Sequence, residues 1–433
     1  MVEEINIPLL SCKTHSHESS YLMELFVKIF FALPVYQSVI LTLLLFFSGN
    51  RRLTNSRTIM GFFQFLMAFY FAFNFLYSIR AFEVVASIYF LILPVILLFI
   101  PVFYLYILSV TTPEFMFKKS YMIHFIPAFS ILCLNLPYLF ASVAERTDFI
   151  SNGYNMASSK LFSYLLVIYM IGIFGIFTLQ LMFYAVRAIK LYRNHKMYIE
   201  SRFSYTENIN LDWILVLIIS FVIFFVINDL LYFVGFRQHS ITQIIYNIAM
   251  LIITFYAGYR GLLQVNLNEK ISDQNLLLFS GLNNMEASEK DDSAALPLVN
   301  QTVNTDSSVK KYSGSALSDD QKKILLSKLD QLVIQEKIYI NEKLSIEDIA
   351  VKLDTNTKYI SQVINETYNK NFYNFINFYR IEEAKRLLIS EENDKYSILG
   401  IAQSVGFVSK STFNVAFKRY TGLTPTEFKL KVN

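Results

Sequence analysis

Residues 400–422 read GIAQSVGFVSKSTFNVAFKRYTG, and an earlier part of the chain repeats their pattern. Displaced by 52 positions, Ser345, Ile346, Ile349, Ala350 and Leu353 fall on Ser397, Ile398, Ile401, Ala402 and Val405. Beyond the next turn the displacement becomes 53, and Ile360, Val363 and Ile364 fall on Phe413, Ala416 and Phe417. Apolar residues spaced by three and four mark helices. Each copy therefore predicts a short helix with a small Ala at a tight crossing, a brief turn, and a second helix packed back on the first.

The punctuation agrees with that pattern. Ser345 with Asp348 predicts a capped start to the first copy. Gly406 stands where the turn of the second copy calls for positive φ, and Asp354 holds the matching place in the first. Gly422 and Asn369 are suited to left-handed C-caps of the two second helices. Thr424-Pro425-Thr426-Glu427 supplies an N-cap, an N1 proline and an N3 acid for a last helix. Between the copies, FINFYRIEEAKRLLIS predicts one amphipathic helix whose Ile376, Tyr379, Ile381, Ala384, Leu387 and Leu388 can serve both.

The ordered combination of two such units, RIEEAKRLL between them and VGF…F…FKRYTGLTPTEF at the end resembles the DNA-binding domain of the AraC/XylS family of bacterial transcription regulators. It covers about residues 340–430, roughly a fifth of the chain. The resemblance implies two recognition helices in successive major grooves on one face of double-stranded DNA, and it admits a homodimer on repeated sites. In helix-turn-helix geometry, early residues of a recognition helix that point away from its apolar face reach base edges. Here these are Lys358, Ser361 and Gln362, then Lys410, Ser411, Thr412 and Val415, with Asn414 nearby. Lys suits phosphate or guanine, Gln adenine, and Thr or Val a thymine methyl. Family members often carry Arg where Gln362 and Val415 stand.

Upstream, SDDQKKILLSKLDQLVIQEKIYI opens at Ser318 with Gln321 in capping-box spacing and continues with helical period. Two roles stay open for it: a helix covering the DNA-binding domain, or a dimerisation helix. Residues 264–317 gather Asn, Ser, Asp and Lys and predict a flexible linker. Its r.m.s. span is on the order of 40 Å.

The remainder has another character. Residues 1–263 carry 17 Lys+Arg and 12 Asp+Glu, whereas 264–433 carry 21 and 22 over a much shorter length. Seven apolar runs long enough for a bilayer occur near 22–47, 58–79, 84–110, 121–142, 161–186, 211–235 and 241–263. A run such as TIMGFFQFLMAFYFAFNFLYSI is apolar on every face, as lipid or full burial demands. With residues 1–21 outside, alternate loops hold ten basic residues inside (Arg51, Arg52, Arg57, Lys118, Lys119, Arg187, Lys190, Arg193, Lys196, Arg202) against five outside. An odd number of spans then carries residue 264 into the cytoplasm.

Chemistry within the spans is sparse. There is no HExxH motif, no phosphate-binding glycine loop and no paired acidic motif, so no enzyme activity, cofactor or metal is expected. His124 and Asp229 are the ionisable residues at membrane depth that qualify as sensing candidates, although Asp229 can equally serve only hydrogen bonding within the bundle. Pro94, Pro101, Pro127 and Pro137 interrupt spans three and four. Cys12 and Cys133 exclude a disulfide framework, and Cys12, His15 and His17 read as part of a polar tail.

The expectation is therefore an all-α chain: a seven-transmembrane-helix bundle (22–263), a cytoplasmic linker (264–317), and a soluble domain with two helix-turn-helix units (318–433). Its function would be one-component transcription regulation from the bacterial cytoplasmic membrane, with the lipid bilayer and DNA as partners. The signal would be a small ligand, a peptide or a membrane protein. The alternatives are a membrane transporter or enzyme carrying a regulatory DNA-binding tail, and a regulator released by proteolysis of the linker.

Overall fold

The computed structural model describes residues 10–47, 55–112, 115–152, 160–207, 209–233, 240–264, 317–390 and 396–432. The side chains of 10–27, 55, 228, 229, 232, 233 and 240–243 fall outside this description. So does the expected linker, except for its two end residues. Among the described residues the regular structure is helical, with one isolated antiparallel bridge between Phe203 and Ser345. The chain forms two compact units, residues 1–193 with 211–270, and residues 194–210 with 271–433.

In the first unit, helices occupy all seven expected apolar stretches. They begin with α1 (Leu10–Phe47), α2 (Asn55–Ser78) and α3 (Phe82–Thr111). Helix α1 starts at Leu10, so part of the expected N-terminal tail is helical. Pro94 and Pro101 lie inside an unbroken α3. The fourth stretch instead divides into a 3₁₀ segment (Lys119–Phe125), α4 (Ile126–Asn135) and a second 3₁₀ segment (Leu136–Phe140). Pro127 and Pro137 sit in the first turns of the latter two. A proline cannot donate back to the preceding turn, so each of these starts a new segment.

A short capped helix, α5 (Val143–Ser151), precedes α6 (Lys160–Met170), which runs through a π segment (Ile171–Phe177) into α7 (Thr178–Arg202). This continuous rod extends well past the expected edge at residue 186, into a polar, basic turn sequence. At the π segment the Thr178 hydroxyl donates to the Ile173 carbonyl five residues back, at 3.4 Å. Helices α8 (Asp212–Phe233) and α9 (Ser240–Leu263) complete the unit.

Five stretches, 28–47, 56–78, 82–111, 119–140 and 160–202, are long and apolar enough to cross a membrane by length and composition. Phe63 of α2 packs against Phe99 and Phe103 of α3, with ring centroids 6.4 and 5.4 Å apart. Such aromatic pairs contribute about 0.5–1.5 kcal/mol each beyond area burial. A Cβ on Gly258 of α9 would stand 2.6 Å from the Leu41 side chain and 2.8 Å from that of Gln64, so both would have to shift to admit it. Outward, Tyr36, Phe62, Val167, Leu179 and Val186 are exposed. An outer surface of this kind is suited to a non-aqueous contact.

The second unit contains α10 (Asp319–Asp330), α11 (Ile346–Lys352), α12 (Thr357–Tyr368), α13 (Phe372–Ile389), α14 (Ile398–Ser404), α15 (Lys410–Thr421) and α16 (Pro425–Val432). Helix α10 opens with the expected Ser318–Gln321 capping box. It covers the first helix-turn-helix unit: Leu329 is buried in that core, Lys322 pairs with Glu366 of α12 at 2.9 Å, and the Tyr368 hydroxyl donates to Asp330 at 2.5 Å. Helix α13 divides its apolar side between two cores. Phe372, Phe375 and Ile376 join the first unit, while Ile381, Ala384 and Leu388 join the second.

Candidate nucleic-acid interface

Both helix-turn-helix units are set by the same local chemistry. Ser345 accepts from the Asp348 amide at 3.3 Å while the Asp348 carboxylate accepts from the Ser345 amide at 2.8 Å. In the second copy Ser397 accepts from the Gly400 amide at 3.0 Å. After α11 the Thr355 amide reaches back to the Ala350 carbonyl, and after α14 the Phe407 amide reaches back to Ala402, at 3.0 and 2.9 Å. These bonds close the left-handed turns at Asp354 (φ +48°) and Gly406 (φ +94°), as the repeat predicts.

Asn356 and Ser409 then cap the two recognition helices, accepting from the Tyr359 and Thr412 amides at 2.9 and 3.2 Å. Asn369 (φ +50°) and Gly422 (φ +79°) end them in the expected left-handed conformation. The final helix carries its predicted cap: the Thr424 amide donates to Glu427 at 2.7 Å, which holds the Glu427 carboxyl below its ordinary range.

The positions expected to face DNA are not equivalent. Lys358, Lys410, Ser411 and Val415 are exposed, Val415 at 69%. Ser361 is half-buried, and its hydroxyl and carbonyl receive the Asn365 amide. Gln362 departs from the expectation: it is only 3% exposed and donates to Glu366 at 2.9 Å. Glu366 also holds Lys322 of the covering helix α10, so this part of α12 lies within a packed contact. Thr412 is half-buried, its hydroxyl shared between Ser409 and the carboxylate of Glu207.

Glu207 follows Arg202, the last basic residue of the loop that the sequence predicts as inside. Residues 194–210 pack into this unit. The Ser204 amide and hydroxyl donate to the Leu344 carbonyl at 3.0 and 2.7 Å, Arg202 pairs with Glu347 at 2.7 Å, and the Asn371 amide donates to Glu200 at 3.1 Å. At the centre lies Arg380, 1% exposed. Its guanidinium donates to the carbonyls of Tyr339, Ser204 and Asn341 at 2.7, 3.0 and 2.6 Å, to the Ser204 hydroxyl at 3.0 Å and to the Asn377 amide oxygen at 3.2 Å. Burial pushes its pKa down to about 10, so it remains a cation at neutral pH, held by dipoles. The sequence does carry a signal for it. Arg380 is four residues from both Ile376 and Ala384, a charge on the buried stripe of α13.

In the first unit, His124 Nδ1 lies 2.7 Å from the Tyr184 hydroxyl, and both rings pack against Tyr104. Tyr104 and Tyr184 also line a small apolar cavity of about 50 Å³ with Phe63, Phe103 and Phe221. Asp229 is on α8, with its side chain outside the described residues. No cluster of metal ligands occurs among the described residues.

Residues 349–431 match the helix-turn-helix domain family model. The Msm operon regulatory protein of Streptococcus mutans is 30% identical over 118 residues, 25% of this chain and 41% of that protein. A helix-turn-helix type transcriptional regulator of Bacillus subtilis, YisR, is 32% identical over 91 residues, 21% of this chain and 31% of that protein. The chain thus spans less than half the length of either relative. Among solved structures, the C-terminal domain of AraT, a response regulator from Geobacillus stearothermophilus, is 25% identical, covering 27% of this chain and 88% of that one, with a TM-score of 0.23. Residues 349–431, with their two capped units and shared central helix, thus form a helix-turn-helix domain.

Proposed function

We propose that this protein is a membrane-anchored, one-component transcription regulator. The apolar unit is a seven-helix bundle in the bacterial cytoplasmic membrane, and the C-terminal domain reads duplex DNA from the cytoplasmic side. The observation that carries the reading is the exposure of Lys358, Lys410, Ser411 and Val415 at the starts of two matched recognition helices, in a chain that also holds five long apolar helices. Early recognition-helix residues are those that meet base edges.

Two independent features support the orientation. The basic residues favour the loops counted as inside. The segment 194–210, which belongs to one of those loops, packs in the same compact unit as the C-terminal domain and so has to share its side of the membrane. Signals reach the bundle as a small ligand, a peptide or a membrane protein. The cavity lined by Tyr104 and Tyr184, beside His124, offers such a signal apolar volume and a polar handle. A signal acts only through different affinities for two bundle states. Homodimers on repeated sites fit this scheme.

The test is footprinting of the full chain in lipid nanodiscs on DNA fragments selected from genomic DNA. The reading predicts a footprint with the native chain and its loss when Lys358, Ser411 and Thr412 are all changed to Ala. An unchanged footprint would falsify the assigned reading surface. Retention of the chain in membranes washed at alkaline pH checks the anchoring.

A further inference from the structure

Resting on the functional reading above, one contact assigns a partner to the DNA-reading surface before DNA arrives. The segment Arg202–Glu207 engages three parts of the C-terminal domain at once. It meets the start of the first unit through the Phe203–Ser345 bridge, the central helix through Ser204 and Arg380, and the second recognition helix through Glu207 and Thr412. Phe203 and Ser204 are each 1% exposed, so the segment is built into the domain.

Glu207 occupies a chemically telling position. Its carboxylate accepts from Thr412 in the first turn of α15, beside the Ser409 cap. That helix end bears the positive pole of the backbone dipole and attracts anions. A DNA phosphate approaching the same turn would meet a carboxylate already bonded there, and like charges repel. The segment begins at the last residue of α7 and lies just ahead of α8 in the chain.

We propose that residues 202–207 form an intramolecular clamp, in which Glu207 stands in for a DNA phosphate at the second recognition helix and must leave for DNA to bind. The occupant of the reading surface is thus a segment of the same chain, and displacing it couples the helices α7 and α8 to DNA affinity.

The experiment uses the full chain in nanodiscs with sheared genomic duplex DNA at low salt. Glu207→Ala is expected to bind about tenfold more tightly than the native chain, the scale of one charge-assisted hydrogen bond, while Lys410→Ala binds more weakly. Hydrogen exchange on the native chain supplies a second measure: the Ser204 amide is protected without DNA and exchanges faster with saturating DNA. Equal affinity of Glu207→Ala and native chains, with Lys410→Ala still weakened, overturns the clamp and leaves the DNA-binding reading intact. Unchanged Ser204 protection at saturation does the same. Absence of duplex binding by all three chains overturns both.

Discussion

The guanidinium of Arg380 donates to both the carbonyl and the hydroxyl of Ser204, each at 3.0 Å, across 176 positions of sequence. Three backbone carbonyls and two side-chain oxygens thus surround a buried cation that has no carboxylate among its hydrogen-bond acceptors. Replacement by Met leaves those buried acceptors unpaired, and each buried polar group left without a donor costs about 1–3 kcal/mol. Arg380→Met is expected to lower the unfolding free energy of the C-terminal domain by about 3 kcal/mol, read from the shift in urea midpoint by pulse proteolysis of the full chain. Arg380→Lys recovers only part of the loss, because an ammonium cannot match the planar fork.

Two glycines with similar φ separate strain from collision. At Gly422 (φ +79°) a Cβ would meet nothing within 4 Å, and Gly422→Ala is expected to cost about 1 kcal/mol of backbone strain. At Gly406 (φ +94°) it would stand 2.6 and 2.7 Å from the Tyr339 and Ile340 carbonyls and 3.0 Å from Arg380. Gly406→Ala therefore adds a backbone displacement to the strain, for a total of about 3 kcal/mol. The two variants compared in one denaturation series provide the check, and equal losses would show that the contact at Gly406 is relieved at no cost.

Gln362 and Val415 invert the usual expectation for a polar and an apolar side chain. Gln362 is buried against Glu366, so Gln362→Ala is expected to leave the ranking of DNA sequences unchanged while destabilising the first unit by about 1 kcal/mol. Val415 is exposed on the second recognition helix, and Val415→Ser should alter base preference at one position by about 1 kcal/mol with stability preserved. Selection of bound fragments with each variant distinguishes the two cases. A changed sequence ranking for Gln362→Ala would count against its structural role.

Acid should loosen the covering helix α10. Hydrogen bonds from Lys322 and then Gln362 hold the Glu366 carboxyl below its ordinary value of 4.5. A folded-state pKa below the unfolded one contributes stability that is complete above about 4.5 and is lost as pH falls through the folded value. Amide exchange in Asp319–Asp330 of the full chain is expected to accelerate, relative to α16, on acidification through that window. In Glu366→Gln the difference disappears; persistence of the acid response in that variant points to another group.

Much of the second unit was legible because its rules act over short distances. Positive φ at Gly406, Asp354, Gly422 and Asn369, and the caps at Ser318 and Ser345, all follow from backbone sterics and from hydrogen bonds within a few residues. Local pattern also located helical structure in the apolar stretches and marked the interruptions at Pro127 and Pro137, yet it marked Pro94 and Pro101 in the same way, and α3 runs through both unbroken. A proline ends a helix or bends into it according to what the neighbouring turns can offer the freed carbonyls, which is a property of packing.

The amino-acid sequence by itself determined the helices, their caps and the duplication, because hydrophobic period and turn chemistry are written in neighbouring residues. Only the tertiary structure decided that Gln362 turns inward beneath α10, that Arg380 is buried among carbonyls, and that Glu207 meets Thr412 across 205 positions. Those outcomes depend on which distant surfaces meet. The free energy that decides them, desolvation of a charge against the hydrogen bonds that replace water, exists only once the surfaces are together.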